Sequence, residues 1–296
     1  MNKKKEKMAN LEVLLLTMIW GGSFVASKLA QTAYDSFFIL AIRYLGGALL
    51  IFAFFEPKMH RLTMQTIRYG SIVGVITYLG MSLQMYALKA TTAASQSFLL
   101  VSYTVFVPIL EWIITKKSPG RQVFLASLCI MCGVWLIAVK GDFSLGYGEM
   151  LTVIFAVLYS VQIILIGIYM KRIEPFSFTF VMLLTTGICA VITCVVLQVP
   201  FVGYTDVKSF GALFYLTVFN TAIAFALQNH AQKYMSSTAT VLIMSLESVF
   251  GAIVAAVILR EIFSIKMLFG SALILLANII VKKDEIKKLL HKQVEI

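Results

Sequence analysis

Glu247 lies eleven residues after Ser236 in the apolar run 236–259. At about 1.5 Å per helical residue its carboxyl is roughly 16 Å along that run, near the middle of a bilayer-sized segment. An ionisable group at that depth is costly and marks a functional position. A carboxyl there can take and release a proton or face a cation, and it can also accept hydrogen bonds that only fix a neighbouring helix. Arg43, about seven residues into the run 36–55, is the second midspan charge. It can pair with a carboxylate, line an aqueous cavity or snorkel towards the headgroups. Trp20 and Ser23, Tyr78, Gln96, Tyr103, Tyr159 with Gln162, and Asn220 lie at comparable depth in other apolar runs. Isolated hydroxyls and amides in membrane helices commonly bond across helix interfaces. Their spread over both halves of the chain fits a hydrated, aromatic-lined cavity. The expected pathway is Trp20, Arg43, Tyr78, Gln96, Tyr103, Tyr159, Asn220 and Glu247, with Glu247 as the proton or cation site.

Other chemistry finds little footing. Cys129 and Cys132 form a C-x-x-C inside an apolar run, without the second pair or histidines that a redox or zinc site needs, and read as packing residues. The chain has no H-E-x-x-H, no acidic metal cluster, no paired catalytic carboxylates and no ATP-binding P-loop. No enzymatic activity, metal or cofactor is expected, and ATP is not the energy source. Glu111, near a helix end, reads as an interfacial ion pair with Lys116. Asn229 and His230 read as solvated residues at an inner helix end.

The elements that position these groups follow from composition. Of 296 residues 60% are hydrophobic and 13% charged, with a mean hydropathy of +0.90, against about a quarter charged in soluble domains. Lipid is therefore the solvent. Stretches such as 249–259 and 268–281 are continuously apolar, which excludes the alternation of a barrel and leaves helices. About 20 apolar residues cross a bilayer, and punctuation at Glu56-Pro57-Lys58, Lys117-Ser118-Pro119-Gly120, Lys140-Gly141-Asp142 and Glu174-Pro175 divides the chain into ten spans. They are 11–30, 36–55, 69–88, 93–115, 121–140, 148–169, 177–198, 209–229, 236–259 and 264–282. The basic N-terminus followed by an apolar run resembles a signal peptide but has no clear cleavage site before Tyr34, so the first span is expected to be retained. With the N-terminus inside, 18 Lys and Arg fall on the cytoplasmic side and 6 outside. That asymmetry places both termini in the cytoplasm and calls for an even number of crossings. It also accounts for the net charge of +11 without nucleic acid: the expected partners are the lipid bilayer and a small-molecule substrate, and oligomeric state is not legible.

Shifting the chain by 144 residues aligns Leu83-Gln84-x-x-Ala87-x-Lys89 with Leu227-Gln228-x-x-Ala231-x-Lys233, Val105-Phe106 with Val249-Phe250, and Ser127 with Ser271. The fourth span then corresponds to the ninth, and Gln96 and Tyr103 to Thr240 and Glu247. Five helices per half is an odd number, so the halves enter the membrane with opposite orientation. An inverted repeat is the usual architecture of alternating access.

Trp20-Gly-Gly-Ser-Phe-Val-Ala-Ser-Lys28, Arg43, and Ser245-Leu-Glu-Ser-Val-Phe-Gly251 with Leu259-Arg-Glu261 resemble, in this order, the signatures of EamA-type carriers of the drug/metabolite transporter superfamily. The resemblance spans nearly the whole chain. It implies an all-α membrane protein of ten helices, built as two five-helix repeats at 11–139 and 148–281 between a cytoplasmic segment 1–10 and a charged cytoplasmic tail 282–296. It further implies a central cavity, residence in the cell membrane, and transport of small organic metabolites, often outward. Three positions depart from the pattern: Ser248 stands at the family's proline, Arg260 at a common glycine, and Lys116-Lys117 where the first repeat usually has Gly-Glu. They put the helix break in the ninth span in question. A channel would share this architecture, and a membrane-embedded enzyme is the more distant alternative.

Overall fold

The continuously apolar runs fold as helices. The structure is a computed structural model that describes residues 3–55, 62–116, 121–138, 146–201 and 203–294. Among the described residues there is no strand. The helices are α1 (Lys3–Gly21), α2 (Ser23–Ala30), α3 (Ser36–Phe55), α4 (Met64–Ala90), α5 (Ala93–Leu100), α6 (Tyr103–Thr115), α7 (Arg121–Ala138), α8 (Tyr147–Tyr169), α9 (Pro175–Val196) and α10 (Val207–Tyr215). A π-helical segment (Leu216–Ile223) leads to α11 (Ala224–Gln232), α12 (Ser237–Met244), α13 (Glu247–Ile258) and α14 (Ile265–Val294).

Among the described residues, eight helical stretches are long and apolar enough to cross a membrane: Lys5–Ala30, Ser36–Phe55, Met64–Ala90, Ala93–Ile114, Tyr147–Tyr169, Pro175–Val196, Val207–Gln232 and Ser237–Ile258. The expected fifth and tenth spans are represented by shorter apolar helices, Leu128–Ile137 and Ile265–Ala277. The punctuating turns at 56–61, 117–120 and 139–145 lie outside the described residues. The tail expected after residue 282 is instead continuous with α14, which runs to Val294.

Contacts between helices are set by small residues. α3 packs along α9, α4 between α8 and α9, α1 against α11 and α13, α5 against α13, and α7 against α14. Glycine permits these approaches: a Cβ on Gly251 would stand 2.8 Å from Ser97 Cβ, one on Gly21 would be 2.4 Å from Phe250 Cβ, and one on Gly133 would be 2.6 Å from the Gly270 carbonyl.

Two spans break in the middle, and the breaks match. Between α5 and α6 the amides of Ser102, Thr104 and Val105 bond back to the carbonyls of Leu99, Val101 and Ser102. Between α12 and α13, Leu246, Ser248 and Val249 bond back to Ile243, Ser245 and Leu246. Each is a tight i to i+3 turn, and the two sets are separated by the repeat's 144 residues. The N-caps match as well: Thr92 accepts from the Ser95 amide and Ser236 from the Ala239 amide. The ninth span therefore breaks without the family's proline. The hydroxyls of Ser245 and Ser248 bond to the carbonyls of Leu242 and Ser245 at 2.7 and 2.9 Å, taking up backbone acceptors beside the break.

At one end of the bundle Glu261 ties three elements together. Its carboxylate accepts the amides of Ala93 and Ala94 at 3.0 and 2.9 Å, at the start of α5, and lies 3.6 Å from Lys28 Nζ. Lys28 also donates to the Thr91 carbonyl at 3.0 Å.

Candidate functional site

The paired breaks place Tyr103 and Glu247 at the first residues of α6 and α13, midway along their spans. Both are buried. A carboxylate in the first turn of a helix faces the positive end of its dipole, which favours negative charge there. Among the described residues the Glu247 Oε2 has no hydrogen-bond partner, nor has the Tyr103 hydroxyl.

An aromatic cluster extends from this point. Tyr159 meets Tyr103 with ring centroids 5.5 Å apart, Phe155 at 5.6 Å and Trp20 edge-on at 6.1 Å. Trp20 meets Phe225 at 5.5 Å, and Phe225 meets Tyr44 at 6.1 Å. Edge-to-face pairs of this kind hold ring orientation in addition to burying area. Trp20 donates its indole N–H to the Asn220 carbonyl at 3.0 Å.

Beyond Trp20 lies Arg43, 2% exposed. Its burial rules out snorkelling, and among the described residues it pairs with no carboxylate. Its Nη2 donates to Asn220 Oδ1 at 2.5 Å and its Nε to Thr221 Oγ1 at 3.2 Å. Consecutive residues can both serve it because they belong to the π-helical segment Leu216–Ile223, whose wider turn is a feature often found at functional positions. Thr221 Oγ1 also donates five residues back, to the Leu216 carbonyl at 2.7 Å.

Five of the eight expected pathway residues thus lie in one connected cluster, Trp20, Arg43, Tyr103, Tyr159 and Asn220, and Glu247 stands at the break that matches the one before Tyr103. Two lie apart. Gln96, fully buried on α5, donates to the Gln84 carbonyl at 2.9 Å and leaves its own oxygen unpartnered. Tyr78, half-buried on α4, is hydrogen-bonded to Thr193 of α9. Sequence reasoning missed Tyr44, Thr221, Phe155 and Phe225. The signal for Tyr44 and Thr221 was adjacency to Arg43 and Asn220; single phenylalanines in apolar runs carry none.

Three readings of polar residues change. Glu111 accepts from Thr238 Oγ1 at 2.5 Å and forms no ion pair with Lys116, whose left-handed backbone (φ 59°) ends α6. Asn229 is fully buried, not solvated, and donates to Thr179 Oγ1 at 2.8 Å. His230 stands 2.8 Å from Glu12 Oε2. That pair borders a lateral apolar cavity of about 780 Å³ between α3 and the π-helical and α11 segments, lined also by Leu50, Phe54, Phe176 and Ala226. This cavity is separate from the aromatic cluster in its lining residues.

The sequence pattern of the EamA-like transporter family matches residues 7–139 and 146–282. Over 283 residues, 94% of this chain and 86% of the relative, the chain is 27% identical to an uncharacterized transporter of Archaeoglobus fulgidus. A second uncharacterized transporter of that organism is 25% identical over 268 residues, covering 84% of this chain and 89% of its own length. A crystal structure of a protein with 17% identity superposes with a TM-score of 0.73 over 97% of this chain and 99% of the other, a likeness of fold.

Proposed function

This chain belongs to the EamA-like transporter family, and we propose on that premise that it is a secondary carrier exporting small organic metabolites across the cell membrane by alternating access. The observation that carries this reading is the placement of Glu247. A buried carboxyl with an unpartnered oxygen stands at a mid-span helix break, and Tyr103, a member of the aromatic cluster, stands at the matching break. In this reading Glu247 is the proton or cation site. Trp20, Arg43, Tyr103, Tyr159 and Asn220 form the pathway's centre, with Gln96 and Tyr78 at its margins.

The reading takes the chain as two inverted halves, 11–139 and 148–281, each of five spans, with both termini in the cytoplasm. Its support is the identical hydrogen-bond pattern at the two breaks, 144 residues apart. The packing pairs agree with it: α4 with α8 answers α11 with α1, and α4 with α9 answers the π-helical segment with α3. The helices α7 and α14, whose apolar parts are Leu128–Ile137 and Ile265–Ala277, complete the count as the fifth and tenth spans. Two copies of one fold can exchange slightly different conformations, which opens a central site to one side and then the other.

Reconstituted vesicles give the test. Wild-type protein is expected to show saturable, pH-gradient-driven flux and counterflow of its solute, which a channel would not. Glu247→Gln is expected to abolish the response to the pH gradient. Full gradient-driven transport by Glu247→Gln would remove the coupling role.

A further inference from the structure

We propose that Arg43, Tyr44 and Asn220 form a carboxylate-binding subsite, so that the carried solute bears a carboxylate group; the occupant rests on the carrier reading above. A guanidinium stays charged when buried, and a buried charge without a counter-charge is costly. Both hydrogen bonds of Arg43 go to neutral oxygens, Asn220 Oδ1 and Thr221 Oγ1, which use two of its five N–H donors. The ion pairs among the described residues are Lys28–Glu261, Lys89–Asp35 and His230–Glu12. Glu247, the other deeply buried ionisable side chain at mid-span, forms no ion pair with Arg43.

Among the described residues, two further buried groups beside the guanidinium have no hydrogen-bond partner. Asn220 Nδ2 belongs to the amide whose oxygen already holds Arg43, and it has no acceptor. The Tyr44 hydroxyl also has none, and its ring centroid lies 5.5 Å from Arg43 Cζ. Asn220 is 2% exposed and Tyr44 fully buried. Buried polar side-chain atoms usually find partners. Spare N–H groups, an amide N–H₂ and a phenol around one unbalanced positive charge are complementary to a single negative charge spread over two oxygens. A carboxylate matches the planar fork of arginine. A doubly charged phosphate would leave an excess negative charge in a buried place.

The full-length protein with Trp112→Phe and Trp135→Phe leaves Trp20 as the one indole, and Trp20 is bonded to Asn220. Both replaced tryptophans are about half exposed, at 46% and 51%. Benzoate, phenylacetate and indole-3-acetate are titrated against their amides in lipid nanodiscs, reading Trp20 emission for the first two pairs and protection against thermal unfolding for all. The carboxylates are expected to bind and the amides to bind at least tenfold more weakly. Arg43→Gln is expected to lose the discrimination. Because that variant can fail to fold, Tyr44→Phe is the deciding one: it removes an oxygen that bonds to none of the described residues, and is expected to weaken the carboxylates three- to tenfold without lowering the melting temperature. Equal responses to acids and amides, or unchanged carboxylate affinity in Tyr44→Phe, overturns the subsite. Counterflow of solutes lacking a carboxylate, uncompeted by carboxylates, leaves the carrier reading standing and removes the subsite. Carboxylate binding without counterflow of any solute does the reverse.

Discussion

Arg43 and Glu247 are both buried at mid-span, and the protein meets their charge differently. Arg43 is bound by two oxygens contributed by a π-helical turn, whereas Glu247 stands in the first turn of α13. The strength of the Arg43 arrangement can be measured from Thr221. Thr221→Val preserves shape but removes the acceptor of a buried charged donor, a change that costs about 1–3 kcal/mol. It is expected to lower the thermal midpoint of the purified protein, while Thr217→Val, one turn earlier and bonded only to its own helix at Leu213, has a smaller effect. Equal melting of the two variants would show that the bond to Arg43 contributes little.

At the scale of elements, the breaks at 101–102 and 245–246 convert two long helices into four half-helices whose ends face the cluster. α5 crosses α13 where Gly251 lies against Ser97. A methyl at Gly251 would sit 2.8 Å from Ser97 Cβ and 3.3 Å from the Gly21 carbonyl, and overpacking of this kind costs about 1–3 kcal/mol. Gly251→Ala is expected to destabilise the protein by that amount, with partial recovery in the double variant Gly251→Ala, Ser97→Gly. The check is a double-mutant cycle on unfolding midpoints, and strict additivity would contradict the contact.

For the molecule as a whole, α7 and α14 pack along each other through Gly133 and Gly270, each glycine lying where a Cβ would meet the other's carbonyl at 2.6 or 2.7 Å. If these two helices are the fifth and tenth spans, the chain crosses ten times and its ends share a side. Lys208 and Lys233 are both exposed and stand at opposite ends of the Val207–Gln232 span, one just inside its start and the other just after its end. In a background without the four cysteines, Lys208→Cys is expected to react with an impermeant maleimide in intact cells. Lys233→Cys should react only after the membrane is opened. The opposite pattern would invert the proposed orientation.

The amino-acid sequence by itself determined the solvent, the helices and most of their limits, because continuous apolar runs of membrane length leave a backbone no other way to satisfy its polar groups. It also marked Arg43, Glu247, Trp20 and Asn220, since polarity inside such a run is conspicuous. It did not determine which of these meet. Tyr78 and Gln96 carry the same signal as Tyr103 and Tyr159, yet their hydrogen bonds go to Thr193 and Gln84 on neighbouring helices. The break in the ninth span, without proline, is marked by local backbone and serine hydroxyl bonds, and the π turn brings Asn220 and Thr221 to a guanidinium nearly 180 residues away. Helix rotation and local widening depend on those distant partners, and so only the tertiary structure decided them.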